Sequence, residues 1–547
     1  MLIGVPAALT LVLAAIGTYL YCTADFIQPK ADVDLKHYEF TINTDSLRVA
    51  DNACLRLNKH GLWEAYIQGC PIDRGAAYGL VSSDLIKSQE DVFVDQIHEI
   101  VSSEVWVEFL HKLVIIFNRN MASHIPEEYR EEIYAMSLSC NHEYNAYGSP
   151  YVRQLNYHAA HDIGHAMQEY MLVGCSSFAC WDENSETNGL IVGRNFDFFV
   201  GDNFARNKIV LFVEPEDGYR YASISWPGMM GVLSGINEHG LTITINAAKG
   251  STPTSSAMPI SLLARHILQY AKTIDEAYAI ATQFKTFVAE SLLIGSAKDG
   301  YAAIIEKTPT SIALYKSLDT KIVCTNHYQS EAYKDDKNNV ENIASSDSPY
   351  RHRRLNELID TLAPISSDDA VAILRNRYGI NNSDIGLSNE KSLNQFIAHH
   401  SVVFQPDELR FWVSTSPWQL GEYVCYDLDE VFDYPGCTDS SYAIEELTIA
   451  ADSSALNDEY VRVCQYREQY RQLSAMIDTK QRVSDAFIAT FIANNANYFE
   501  VYNILGDYEL SQGNYTQAIT YWKKALSLEI PRTSERDAII LKIQDYD

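Results

Sequence analysis

Positive charge is scarce in this 547-residue sequence: 42 Lys and Arg stand against 72 Asp and Glu, a formal net charge of −30. A polyanion such as nucleic acid would be repelled, and so would an anionic membrane surface, which excludes nucleic-acid binding as a function class. Cysteine is scarce too. The ten cysteines (Cys22, Cys54, Cys70, Cys140, Cys175, Cys180, Cys324, Cys425, Cys437, Cys464) are too few for a disulfide scaffold, and no pair has zinc-finger spacing. One or two bridges are expected, Cys425 with Cys437 or Cys54 with Cys70. What the chain has in quantity is apolar: 47% hydrophobic against 21% charged, enough for a large core spread over two or three domains.

Residues 2–22 carry no charge and are about long enough to cross a bilayer as a helix. An export signal or N-terminal anchor is expected within residues 1–24, with the remainder exported or held on the far side of a membrane (periplasmic, extracellular or lumenal). The basic segment that opens a normal signal is missing, and Tyr19-Leu20-Tyr21-Cys22 is a poor lipoprotein box, so cleavage of the segment stays open.

Hydrophobic period divides the rest. Residues 25–174 read as mostly helical, with amphipathic repeats over 90–117, 126–144 and 157–172. From Cys175 the period falls to two, in short strands joined by polar turns; Asn237-Glu238-His239-Gly240 is a hairpin turn. Two helices follow, 259–271 and 273–284, the second opened by Thr273 and Glu276. Strands then resume and end in the pair 399–416. Strands, helices, then strands predict an α+β fold over 175–450, two antiparallel sheets with helical layers outside. The tail, 451–547, is helical. Within it residues 502–531 resemble one tetratricopeptide repeat, with Gly506, Ala518 and Ala525 at its small positions and Tyr508, Tyr515 and Tyr521 at its aromatic ones. A single copy is expected to be a helical hairpin packed on the main domain, or else a dock for a protein partner.

The chemistry gathers at Cys175. No Cys-His-Asn protease pattern surrounds it, yet it opens a sheet, follows Gly174 and precedes Gly193-Arg194-Asn195-Phe196-Asp197. A broken Gly174–Cys175 bond would put a free α-amino group beside its own thiol, and an amine with a reference pKa of about 7.7–8 suits a general base at neutral pH.

In order along the chain stand Gly174-Cys175-Ser176, Gly193 to Asp197, Gly235 to Leu241 with Asn246 beyond, Cys324-Thr325-Asn326-His327, and the arginine segment Ser348 to Leu355. Together they resemble the N-terminal-nucleophile (Ntn) hydrolases of the penicillin acyltransferase (C45 peptidase) type, related to choloylglycine hydrolases. The resemblance implies a four-layer αββα sandwich and a cysteine hydrolase or acyltransferase acting on a linear C–N amide, with a small-molecule or lipid-like amide as substrate and no cofactor or metal. It implies Cys175 as nucleophile and its freed amine as base, Arg194 beside the thiol, Asp197 holding the amine, and Asn326 and Asn246 as oxyanion donors. It also implies an arginine that is Arg351, Arg353 or Arg354, with Arg351 preferred. The long stretch before Cys175 implies autocleavage at Gly174–Cys175, the N-terminal fragment staying on as a subunit.

Two other readings compete. His158, His161 and His165 share a helical face with Glu169, and His161 with His165 has the spacing of a zinc peptidase pair, although Asp162 stands where the general-base Glu belongs. That would make a metal-dependent hydrolase; otherwise the histidines are a polar helix face packed on the sheet. The third reading is a non-catalytic scaffold with a binding tail.

Overall fold

Described in the computed structural model are residues 15–546, leaving aside 32, 102, 167–173, 202, 435 and 437–439, with only the backbone of 164–166. Two sheets pack face to face. The smaller runs Lys321–Cys324, Ser176–Cys180, Ile191–Asp197, Ala398–Gln405, Arg410–Ser414, Tyr423–Asp427, Ile444–Ile449, every neighbour antiparallel. The larger begins with Phe40–Asn43, Leu47–Ala50, Ala53–Leu57 and Trp63–Gly69. It continues through Ile209–Pro215, Tyr221–Ser225, Ser234–Asn237, Leu241–Ala247, Glu290–Ser296, Tyr301–Lys307 and Ile312–Lys316. Between the sheets lies a dry layer that includes Val192, Val402 and Phe404 from one and Val210, Phe212 and Ile304 from the other. The helices Ile260–Tyr270 and Ile274–Gln283 cover the outer face of the large sheet, and Ser348–Leu362 and Ser367–Leu374 that of the small one. This is the expected α+β sandwich.

The first correction concerns residues 25–174. Helices dominate from Pro71 onward (Pro71–Ile100, Glu104–Asn118, Glu127–Ser137, Pro150–His158, Ala160–Ala166), but four strands precede them. Those strands are short, four to seven residues, with polar turns between, so their alternation is easily overlooked. They are joined to the rest in parallel, Trp63–Gly69 against Ile209–Pro215, so the large sheet is not purely antiparallel. Parallel joining is possible because the strands come from distant parts of the chain and need no hairpin.

Neither expected disulfide forms. Cys54 is disulfide-bonded, whereas Cys70 and Cys425 are free thiols and Cys437 lies outside the described residues. Of the apolar N-terminal segment, residues 15–22 are helical and 1–14 lie outside the description. Among the described residues no helix is long and apolar enough to cross a membrane. The tail is five main helices, Glu459–Thr479, Asp485–Asn494, Phe499–Ser511, Tyr515–Leu526 and Thr533–Tyr546. Gly506 lets two of them close: a Cβ there would lie 2.3 Å from Trp522 Nε1.

Candidate active site

Cys175 immediately precedes the strand Ser176–Cys180, whose register with Ile191–Asp197 sets Ser177 opposite Arg194 and Ser176 opposite Asn195. Alternation along both strands turns Cys175, Ser177 and Arg194 toward the other sheet, and Ser176, Asn195 and Asp197 toward the helices. Arg194 and Asp197 therefore do lie on opposite faces, as the spacing requires. Cys175, at the end of its strand, feels both.

Arg194 is fully buried and held through both terminal nitrogens of its guanidinium, while Nε meets no acceptor among the described residues. Nη2 donates to Cys175 Sγ at 3.7 Å and to Ile245 O; Nη1 donates to Leu233 O at 3.0 Å, to Ser234 Oγ, and to His400 Nε2 at 3.4 Å. The group lies 4.4 Å from the Phe196 ring centre. Burial pushes the Cys175 thiol up to about 11, with Asp197 and Glu290 adding to the rise and Arg194 and Arg351 opposing it.

Asp197 is the anomaly. It is 0% exposed, and among the described residues neither carboxylate oxygen has a hydrogen-bond partner. Burial raises its pKa to about 8, against the pull of Arg351 and Arg194. An unpartnered buried carboxylate is costly unless a cation comes to it. Its backbone is tied to the residue before Cys175, since Gly174 N donates to Asp197 O at 3.1 Å. Gly174 packs against the side-chain amide of Gln395: a Cβ would lie 2.8 Å from Gln395 Nε2 and would require that side chain to shift.

Of the three arginines offered by the segment, Arg351 reaches Cys175. From the helix Ser348–Leu362 it donates to Cys175 O at 2.7 Å, Ser176 Oγ at 2.9 Å and Asn326 Oδ1 at 2.7 Å, and is steadied by Asp347 Oδ2 at 2.8 Å. Arg354 instead binds Asn376, Asn382 and Glu357, and Arg353 lies over Tyr350. Asn246 is no turn residue. It is buried within Leu241–Ala247, accepts from Ser177 Oγ at 2.9 Å and donates to Cys324 O at 3.1 Å. Asn326 donates to Ala247 O at 2.8 Å. The Asn246 amide gives its hydrogens to Cys324 O and Thr325 O, whereas Asn326 gives one of its two to Ala247 O.

Sequence reasoning missed Asp347, Gln395, Glu290, Ser234 and the pair His399–His400. The last left a trace: two adjacent imidazoles, His399 and His400, lead into the apolar run Val402-Val403-Phe404 of the strand Ala398–Gln405, out of keeping with a buried position. The rival histidines have other partners. His158 accepts from Met230 N at 2.9 Å through Nε2 and meets Gln154 O at 2.7 Å through Nδ1. His161 lies 3.5 Å from Glu290 and against Phe196 and Phe198. The side chains of His165 and Glu169 fall outside the described residues.

Two sheets between helical layers thus bring a buried cysteine, arginine and aspartate together at one strand end. Residues 184–416 match the family model of acyl-coenzyme A:6-aminopenicillanic acid acyl-transferase, a stretch that starts after Cys175 and contains Arg194, Asp197, Asn246, Asn326 and Arg351. An uncharacterized protein of Archaeoglobus fulgidus is 23% identical over 401 residues, 66% of this chain and 65% of that protein. Protein dcd1B of Dictyostelium discoideum is 25% identical over 211 residues, 36% of this chain and 39% of its own. The chain thus spans less than two thirds of the length of either relative. Among solved structures, the Caenorhabditis elegans ortholog of N-acylethanolamine-hydrolyzing acid amidase aligns at 16% identity over 43% of this chain and 93% of its own, with a TM-score of 0.32. A mutant conjugated bile acid hydrolase from Clostridium perfringens aligns at 11% identity over 49% and 97%, with a TM-score of 0.33.

Proposed function

We propose that this chain is an autoproteolytically activated cysteine hydrolase or acyltransferase that cleaves a linear amide through an acyl-thioester on Cys175. The observation that carries the reading is Asp197: a buried carboxylate without a partner, beside a cysteine whose α-nitrogen would become a cation if the preceding bond broke. In the first reaction the Cys175 thiol adds to the Gly174 carbonyl. The C–N bond breaks, the nitrogen leaves as the α-amine of Cys175 carrying the proton, and water hydrolyses the thioester to the Gly174 carboxylate and a free thiol. In turnover the amine takes the thiol proton and Asp197 fixes its position. Arg194 favours the thiolate. Asn326, oriented by Arg351, and Asn246 donate to the oxyanion.

The N-terminal fragment is retained as a subunit, because its strand Trp63–Gly69 is an interior member of the large sheet. We assign the helical pair Phe499–Ser511 and Tyr515–Leu526 as the tetratricopeptide-like element, and residues 1–24 as an export or anchoring segment.

Replacing Cys175 tests the reading. Cys175→Ala is expected to leave an uncut and inactive chain. Chelators are expected to have no effect on the parent. An enzyme that survives Cys175→Ala and dies with chelator, or with His161→Ala and His165→Ala together, would establish the metal reading instead.

A further inference from the structure

Behind Arg194, on the side away from the thiol, lies a chain of polar groups that the reaction above does not use. Ser234 Oγ is 2.8 Å from His400 Nε2, and His400 Nδ1 is 3.0 Å from His399 Nδ1. All three residues are 0% exposed. The register between Ala398–Gln405 and Ile191–Asp197 shifts between Ala398 and His400, an irregularity of the kind that re-aims side chains at functional sites.

The proton positions follow from the donors. Nη1 shares its two hydrogens among Leu233 O, Ser234 Oγ and the more distant His400 Nε2, and Ser234, which accepts from Nη1, has its own hydroxyl hydrogen to give to Nε2; a lone pair on Nε2 serves both neighbours. His400 then carries its proton on Nδ1 and gives it to Nδ1 of His399. That leaves the His399 proton on Nε2, an atom with no polar partner among the described residues; the centre of the His399 ring lies 5.6 Å from that of Trp226, 5.5 Å from Phe204 and 6.2 Å from Phe196. The charged or titratable groups that act on His400 are His399, Arg194 and Lys208, and all three, with burial, disfavour its cation. Lys208 itself is turned to Ser414 O at 2.7 Å.

We infer that His400, its tautomer fixed by His399, is a positioning residue that accepts from Arg194 and thereby aims the opposite nitrogen of the same rigid guanidinium at Cys175. The inference rests on the assignment of Cys175 and Arg194 above. Because a guanidinium is planar, an acceptor at Nη1 constrains the direction of Nη2. Protonating His400 would replace an acceptor by a second cation facing Arg194, so the chain works only with His400 neutral. Burial keeps it neutral well below the ordinary histidine range.

The test is the pH dependence of Cys175 alkylation, followed by peptide mass in the full chain, beside steady-state turnover of a simple amide. His400→Leu is expected to raise the apparent thiol pKa and slow alkylation at neutral pH by roughly tenfold, the worth of one hydrogen bond to a charged group. His400→Gln, which keeps an acceptor near the Nε2 position, is expected to restore most of that loss. A merely structural role would leave the thiol pKa in place whatever happened to stability. Equal thiol pKa values in the parent, His400→Leu and His400→Gln would overturn the inference, as would a raised thiol pKa that His400→Gln leaves uncorrected. Cys175→Ala runs beside them: if it remains active, the assignment of the nucleophile fails, which is a different result from an active-site cysteine indifferent to His400.

Discussion

At Cys175 two requirements conflict. A nucleophile needs ionisation, yet burial pushes this thiol up to about 11, and the nearest cation, Arg194, shares its hydrogen bonds among five acceptors. The uncut chain is therefore a poorly ionised form, and the missing element is the base that cleavage would create. Arg194→Ala is expected to slow alkylation of Cys175 at neutral pH by tenfold or more, roughly, while the chain stays folded. Alkylation kinetics that match the parent would contradict the role given to Arg194. Asp197 gives a second handle. Its folded pKa of about 8 is raised above the unfolded value of about 3.9, so its contribution is full below pH 4 and is lost as pH rises through 8. A Cys175→Ala chain, uncut and without the freed amine, is expected to lose stability over that window by up to several kcal/mol. Adding Asp197→Asn should flatten the slope, and urea titrations at pH 4, 6 and 8 would measure it.

Secondary-structure elements decide what the reaction can reach and what stays attached. The proposed cleavage point lies just before a strand, with Gly174 backed against Gln395. The two pieces that cleavage would create are joined by seven residue pairs between Trp63–Gly69 and Ile209–Pro215, and by a buried ion pair in which Arg265 meets Glu132 at 2.7 Å while Arg74 meets it at 2.6 Å. Glu132 belongs to the N-terminal piece and Arg265 to the C-terminal one. Glu132→Gln leaves two buried arginines short of a charge partner and is expected to destabilise the chain by about 3–5 kcal/mol, read by denaturant midpoint. A shift below about 1 kcal/mol would mean the arginines find other acceptors.

How much of this could be read from the sequence also varies by element. The alternating strands after Cys175, the two helices beginning near Ile260 and Ile274 and the hairpin at Asn237 to Gly240 carry local patterns and were legible. The four early strands were not: three of them are short antiparallel neighbours of four or five residues, and the fourth, Trp63–Gly69, has its second partner, Ile209–Pro215, in a distant part of the chain. At the site, Arg194 and Asp197 were legible by position. The lack of a partner for Asp197, the tie of Asn246 to Cys324 and the choice of Arg351 over its neighbours depend on which side chains the fold brings together.

In the whole molecule the tail is not a detachable appendage. Asn495 exchanges hydrogen bonds of 2.8 Å with both backbone groups of Leu387; Asn389 donates to Glu529 O at 2.9 Å; and Arg467 donates to Phe396 O at 2.8 Å. A Cβ on Gly386 would lie 2.5 Å from the Tyr498 backbone. The loop they grip carries Gln395, which backs Gly174, and leads into His399 and His400. Sequence alone suggests that removing residues 497–547 would spare catalysis. With these contacts the expected result is slower self-cleavage together with a lower midpoint of unfolding, both followed in one truncation series. Unchanged cleavage kinetics in a folded truncation would show that the loop holds its own shape.

All of these effects presuppose one covalent event. Intact-mass measurement of the purified full-length protein, beside its Cys175→Ala variant, tests it most directly. The account predicts two associated fragments in the parent, one ending at Gly174 and one beginning at Cys175, and a single uncut, inactive chain in the variant. A parent that is catalytically active as one unbroken chain would contradict it.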